Sequence, residues 1–339
     1  MTPRSGATTI SAVAQAAGVS PATVSRVMND RFFGDPETAE RVRTAARELH
    51  YSPNHLARSF SLGQTKAIAF LVPDLTNPSF QAVLASLSKA AAADGYRVLV
   101  ADSAESPEDE PLLAAEVRRR CDALVLCAPR MPDAALGETT NALGPVVLLN
   151  RSSHSTSAPT LTVDSRAGLE ALARHLHSLG HRHLAYVEGP DGPANENRLR
   201  GIGDVTGSTK DLSLTRVRGG ANSEHGLAAA PAVARSGATA VLAFNDLVAI
   251  GLIHGLQEQG LRVPDDISVT GFDDIPFARF MTPPLTTASV PHESLGTLAW
   301  NRMRALIDGD IPDHDVVFQP RLEIRGSTAP PRQEDGAES

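Results

Sequence analysis

Aromatic residues are scarce in this 339-residue chain: they make up 4% of it, with a single tryptophan. Its cores must therefore be built from Ala, Val, Leu and Ile. Lysine is almost missing, occurring only at Lys66, Lys89 and Lys210, so arginine carries nearly all the positive charge. Cysteine occurs twice, at Cys121 and Cys127, flanking the short apolar run 122–126. Neither metal nor redox spacing fits them, and they read as reduced thiols of a cytoplasmic protein. No apolar run approaches the roughly 18 residues of a membrane span, and the opening MTPRSGATTI lacks a signal-peptide core. A membrane partner is therefore not expected. Enzyme signatures are wanting too. The glycines at 201, 203 and 207 have the wrong spacing for a dinucleotide fingerprint, and no nucleophile elbow or zinc-type cluster occurs. His181 and His183 read as loop residues rather than ligands, so no metal, cofactor or catalytic residue is assigned.

What is present suits a folded protein of more than one unit. Hydrophobic residues make up 42% and charged residues 21%, ordinary values for a soluble globular chain. The length points to two or three units. The formal net charge is −8, which by itself disfavours a nucleic-acid partner, but the charge is unevenly placed. Residues 1–62 hold seven Arg against five Asp or Glu, a balance of +2, which leaves −10 on the remainder. A mildly basic head on an acidic body is compatible with contact to DNA confined to the head.

The pattern along the chain separates three parts. Residues 1–52 carry only helical signals. Residues 53–65 form a connector with a short helix inside it. From 66 to 329, apolar strand-like runs alternate with helical patterns. Ala67–Val72, Arg97–Ala101, Ala123–Cys127, Val146–Leu149, His183–Val187, Ala240–Phe244 and Ser268–Phe272 are short continuous apolar runs, which indicate buried parallel strands in βαβ units. The expected fold is thus an all-α helix-turn-helix head plus an α/β core of two doubly wound parallel-sheet subdomains with a cleft between them. The polar tail, 330–339, is expected to be disordered.

In the head, Thr9 can cap a helix over 10–17, and Gly18 follows where a positive φ is commonly needed. Ser20 can cap a second helix that has Pro21 in its first turn. Val13, Ala17, Val19, Val24 and Val27 form a shared apolar seam. Asp35 and Pro36 start a third helix running to about residue 50, whose Ala39, Val42, Ala46 and Leu49 close the bundle. Two short helices joined by a glycine-containing turn match helix-turn-helix geometry. The outward face of the second helix is Ala22, Thr23, Ser25, Arg26 and Asn29. Small side chains there permit close entry to a major groove, and Arg26 can donate bidentately to a guanine edge.

At this point the residues resemble a known family. TTISAVAQAAGVSPATVSRVMND and ETAERVRTAARELHYSPNHLARSF are similar to the head of the lactose-repressor/galactose-repressor (LacI/GalR) family of bacterial regulators. The similarity continues in order through FLVPDLTNPSF, LGHRHLAYVEGP, AFNDLVAIGL, VPDDISVTGFDD, PPLTTASVP and IRGSTAPPR, and so spans nearly the whole chain. It implies a repressor with a periplasmic-binding-protein-like core, bound to double-stranded operator DNA and switched by a sugar-like effector. It also implies a homodimer, or a tetramer built from it, in the cytoplasm at the nucleoid.

The resemblance assigns residue roles. Thr9, Ser20, Pro21, Ala22, Thr23, Ser25, Arg26, Asn29 and Tyr51 fall in the DNA-contacting set, with Arg26 the main base reader and Thr23 and Ser25 on phosphates. The connector becomes a hinge helix with Asn54 as cap and Ala57 and Phe60 on its apolar face. Phe60 stands where the family usually has a leucine that wedges between base pairs of the minor groove. Effector contacts fall on Ser79, Phe80, Asn150, Arg151, Arg198, Asn245 and Asp273, each at a strand end or loop facing the cleft. Dimer contacts fall on the helix after Asn77-Pro78 and on the helical segment around Trp300. The core divides into one subdomain of about 66–162 and 292–319 and another of about 163–291 and 320–329. Two departures matter. Ala221 stands where the family often stacks an aromatic on its ligand, and the shortened stretch 202–214 predicts a truncated helix there.

Overall fold

The computed structural model describes residues 9–28, 31–51, 64–312 and 315–332. Asn29, Asn54, Ala57, Phe60 and the tail from residue 333 lie outside the described residues. Two compact units divide at Thr65 and Lys66.

The first unit is a three-helix head: α1 (Ile10–Ala17), α2 (Pro21–Met28) and α3 (Pro36–Glu48). Each start has a chemical cause. The Thr9 hydroxyl accepts from the Ala12 amide at 3.3 Å, the Ser20 hydroxyl from the Thr23 amide at 3.2 Å, and the Asp35 carboxylate from the amides of Glu37 and Thr38. These bonds satisfy N–H groups that the helix itself leaves open. Gly18 ends α1 at φ 65°, a left-handed conformation that carries no Cβ penalty in glycine. Val13, Ala14, Ala17, Val24, Val27, Ala39, Val42, Ala45 and Ala46 are buried together. With alanines at the contacts, the helices approach closely in a core whose buried residues are all Val or Ala, with Phe32 and Tyr51 packed against it.

The second unit contains two six-stranded sheets. The first is formed by β1 (Ala67–Val72), β2 (Arg97–Asp102), β3 (Ala123–Cys127), β4 (Val146–Leu149), β5 (Thr160–Val163) and β11 (Val316–Phe318), in the spatial order β11-β5-β4-β3-β1-β2. All of its pairings are parallel. The second has β6 (His183–Val187), β7 (Ser213–Val217), β8 (Ala240–Ala243), β9 (Ser268–Asp273), β10 (Thr286–Ser289) and β12 (Arg321–Glu323), in the order β12-β10-β9-β8-β6-β7. Its edge strand β12 runs antiparallel to β10, so this sheet departs from the all-parallel expectation at one edge. The helices between strands are α4 (Pro78–Ala93), α5 (Glu110–Arg118), α6 (Asp133–Leu143), α7 (Ser165–Ser178), α8 (Pro193–Ser208), α9 (Ser223–Arg235), α10 (Asp246–Glu258) and α11 (His292–Asp308).

Three chain crossings join the sheets: after β5, after β10, and between β11 and β12. In each sheet the strand order reverses beside its first strand, so the loops after β1 and β3, and after β6 and β8, splay apart there. Such reversals are where open α/β sheets hold ligands.

Two expectations need correction. The apolar run of β2 is not a buried central strand. It is a sheet edge, with Leu99 40% and Val100 38% exposed. The helix expected to be cut short is α8, and it runs 16 residues. The turn 209–212 leads from it to β7. Cys121 and Cys127 are free and buried. Burial pushes their thiols up to about 11 and about 12, so neither is a ready nucleophile. Among the described residues no helix is long and apolar enough to cross a membrane.

Candidate effector cleft and DNA-reading head

A cavity of about 340 Å³ opens where the strand ends of the two sheets meet. That is near the lower end of the roughly 300–1,000 Å³ usual for small-molecule sites. All seven residues assigned to the effector line it: Ser79, Phe80, Asn150, Arg151, Arg198, Asn245 and Asp273.

Arg198, on the second turn of α8, is the best-defined member. Its guanidinium carbon lies 4.1 Å from the centre of the Phe244 ring and 4.6 Å from that of Phe272. A desolvated cation held this way gains about 2 kcal/mol per favourable ring contact. Two glycines make room for the rings. A Cβ at Gly189 would overlap the Phe244 ring, and one at Gly168 would meet the Phe272 ring at 2.6 Å. Burial pulls the Arg198 pKa below the ordinary guanidinium value, against the attraction of Tyr186 and Asp273. Its Nε is buried without a hydrogen-bond partner.

Asp273 ends β9 at φ 113°, a conformation costing of order 1–3 kcal/mol for a residue with a Cβ. The turn is clamped on both sides. Asp274 pairs with Arg325 at 2.6 Å. Asp246 accepts from the Ile275 amide at 2.8 Å and from the Thr287 hydroxyl at 2.6 Å. Burial raises the Asp273 carboxyl to about 7, with Arg198 opposing the rise. Near neutral pH it can therefore donate or accept. Asp246 is raised well above the carboxylate range by its own burial and then by the nearby charge of Asp273.

On the first sheet, Asn150 follows β4 at φ 53°, and its Oδ1 is buried and unpartnered. Arg151 is 7% exposed. Its carboxylate contact among the described residues is long, 3.5 Å to the half-exposed Asp133. Ser79 Oγ lies 2.8 Å from His292 Nε2, which ties the start of α4 to the start of α11. Asn245 caps α10: its Oδ1 accepts from the Val248 amide, and its Nδ2 donates to the Ala221 carbonyl. The amide is thus engaged by the protein itself, and one N–H remains for a ligand.

The cleft also contains residues that the sequence did not single out. Arg130, held by Glu105 at 2.6 and 2.9 Å, lines it with Asn77, Asp164, Arg166, Asn197, Phe244 and Phe272. Phe244 and Phe272 each precede an assigned residue and end the apolar runs 240–244 and 268–272, which could have flagged them. Arg130 follows an apolar strand at a loop, but nothing in its immediate sequence marks it.

In the head, Pro21, Ala22 and Arg26 are exposed on α2, and Thr23 and Ser25 are half-buried. Ser20 and Thr23 join hydroxyls at 3.0 Å. Thr9 is exposed, and Tyr51 is partly buried against the helical core.

The chain matches the model described as "Bacterial regulatory proteins, lacI family" over residues 9–54, and that of a periplasmic binding protein-like domain over residues 173–328. It is 32% identical to the HTH-type transcriptional repressor PurR of Pectobacterium atrosepticum over 335 residues, covering 95% of this chain and 97% of that protein. The lac repressor dimer, crystallised with operator and the anti-inducer ONPF, superposes with a TM-score of 0.85 at 26% identity, over 96% of this chain and all of that one. A LacI family regulator from Enterococcus faecium with bound ribose superposes with a TM-score of 0.68 at 27% identity, over 78% of this chain and all of the other. The chain belongs to the LacI family and is a helix-turn-helix DNA-binding transcriptional regulator, not an enzyme.

Proposed function

We propose that this regulator is a repressor that binds a palindromic operator as a homodimer, and that a small polyhydroxylated effector in the cleft sets its operator affinity. The observation that carries the reading is the cleft itself. A buried, ring-clamped Arg198 and a strained Asp273 line one cavity, in a chain whose head presents Arg26 on an exposed helix face. A guanidinium clamps paired hydroxyls, and a carboxyl and an amide both accept from and donate to them. The lac repressor bound to operator and the relative bound to ribose support the two halves of the reading.

One head reads only a half-site, so two-fold symmetry in the protein requires a palindrome in the DNA. The exposed apolar side chains Leu99 and Val100 on the β2 edge, and Leu112 on α5, support a contact surface between copies. Residues 53–65 serve as the hinge, with Phe60 as its wedge. The subdomains are 66–162 with 292–319, and 163–291 with 320–329, a division supported by the membership of the two sheets. An effector that favours one relative angle of these subdomains shifts the population able to bind DNA. The place of action is the cytoplasm, at the nucleoid.

Selection of bound fragments from a random DNA library by the full chain tests the DNA half. A palindromic consensus is expected. Enrichment of no sequence, or of a single half-site without symmetry, would overturn it.

A further inference from the structure

One wall of the cleft is built for charge. Ala128, Arg130, Asn150 and Arg151 line both the main cavity and an adjoining recess whose far side is the start of α8, Pro190–Ala194. That helix is 16 residues long, and its N-cap, Gly192, provides no side-chain hydrogen bond. The positive end of its dipole therefore lies beside the recess, with the first-turn Glu196 exposed to solvent and paired with Arg200 at 3.3 Å.

Arg151 supplies a second, independent sign. It is 7% exposed, its Nε has no partner among the described residues, and its carboxylate contact to Asp133 is long. Asp133 is engaged elsewhere, accepting from the Ser155 hydroxyl at 2.7 Å. An unsatisfied buried polar group is costly, and more so when it is charged. Two other arginines of the cleft are better matched, Arg130 to Glu105 and Arg166 to Asp204, at 2.6–2.7 Å, while Arg198 is held by the Phe244 and Phe272 rings. Asp191 lies on the recess rim but is exposed to solvent, where its charge is screened.

We propose that the effector is anionic, a phosphate ester or carboxylate of a polyhydroxylated molecule, with its charged group on Arg151 and the start of α8 and its hydroxyls on Arg198, Asn150 and Asp273. This rests on the reading of the cleft as the effector site. An anion gives the Arg151 guanidinium the planar two-oxygen partner that suits it, and charge-assisted bonds of this kind are roughly twice as strong as neutral ones. Ala221 offers no ring to stack on, so any stacking on the effector falls to Phe80.

The test is thermal-shift and calorimetric titration of the full chain with inorganic phosphate, and with pentoses and hexoses each presented as neutral sugar, phosphate ester and sugar acid. Inorganic phosphate is expected to raise the melting temperature of the wild type. That effect should fall at least tenfold in apparent affinity in Arg151→Gln, be partly kept in Arg151→Lys, and be unchanged in Arg174→Gln, an exposed arginine far from the recess in sequence. If Arg151→Gln does not fold, Arg151→Lys and the sugar series decide. Phosphate esters favoured over acids, or the reverse, identifies the source of the charge. A neutral sugar that binds as tightly as its charged forms would overturn the proposal and leave the sensing reading intact. Equal phosphate response in wild type and Arg151 variants would also overturn it. If no sugar in any form and no phosphate binds, both readings fall.

Discussion

Arg198 stacks on Phe244 with its guanidinium carbon 4.1 Å from the ring centre, and the ring stands where it does because residue 189 has no side chain. Gly189→Ala would drive a methyl group into that ring. Overpacking of this kind costs about 1–3 kcal/mol, measured by denaturant unfolding. Gly203→Ala, on α8 with open space beside it, is the matched control and should be neutral or gain up to about 1 kcal/mol. Equal effects at the two positions would refute the clamp.

Arg26 is exposed on α2, so its loss should leave the head folded. Arg26→Ala is expected to weaken operator binding by about 1–3 kcal/mol and relax specificity at one position, with circular dichroism unchanged. Undiminished affinity would remove Arg26 from the base-reading role.

Asp273 keeps its proton to about pH 7 when folded, whereas an unfolded aspartate releases it near ~3.9. Between those values the native state binds more protons, so the contribution of Asp273 to stability is full below about pH 4 and is lost as pH rises through 7. Asp273→Asn should therefore match the wild type at acid pH and exceed it at pH 8. Melting curves across pH check this, and a constant offset would contradict it.

His292 has the opposite slope. Burial holds it down to about 4, below the ~6.5 of an unfolded histidine, so the unfolded state takes up the proton first. Stability should fall as pH drops from about 6.5 to 4. His292→Gln should flatten that limb while weakening the tie to Ser79. An unaltered acid limb in the variant would place the loss elsewhere.

Arg325 neutralises Asp274 in a pair whose side chains are 15% and 8% exposed. Arg325→Met leaves the buried Asp274 carboxylate with only a long contact to the exposed Arg279 at 3.7 Å, and breaking a buried pair in this way costs about 3–5 kcal/mol. A loss under 1 kcal/mol would mean that Asp274 finds another partner.

Much of this was legible in the sequence. The caps at Thr9, Ser20 and Asp35 act on backbone within three residues, so local spacing reveals them. The buried strands β1, β3, β4 and β8 are continuous apolar runs, and β6 and β9 are mostly so. β5, β7, β10, β11 and β12 were not legible, because they lie at or near sheet edges and mix polar with apolar residues. β2 was found, but taken for a buried strand because Val98–Ala101 is apolar; its exposure depends on which strands pair beside it. The seven effector residues were placed by resemblance, and they converge in space. Arg130 and the two clamping rings were missed, because their roles arise from contacts between segments tens of residues apart.

The most direct measurement is operator affinity of the full chain with and without the cleft ligand, in wild type and Arg198→Met, on a site obtained by selection. A coupling of about 5–150-fold is expected in the wild type, and little or none in the variant, with ligand-free affinity alike in both. A ligand effect of equal size in Arg198→Met, or no effect in the wild type, would contradict control of DNA binding from this cleft.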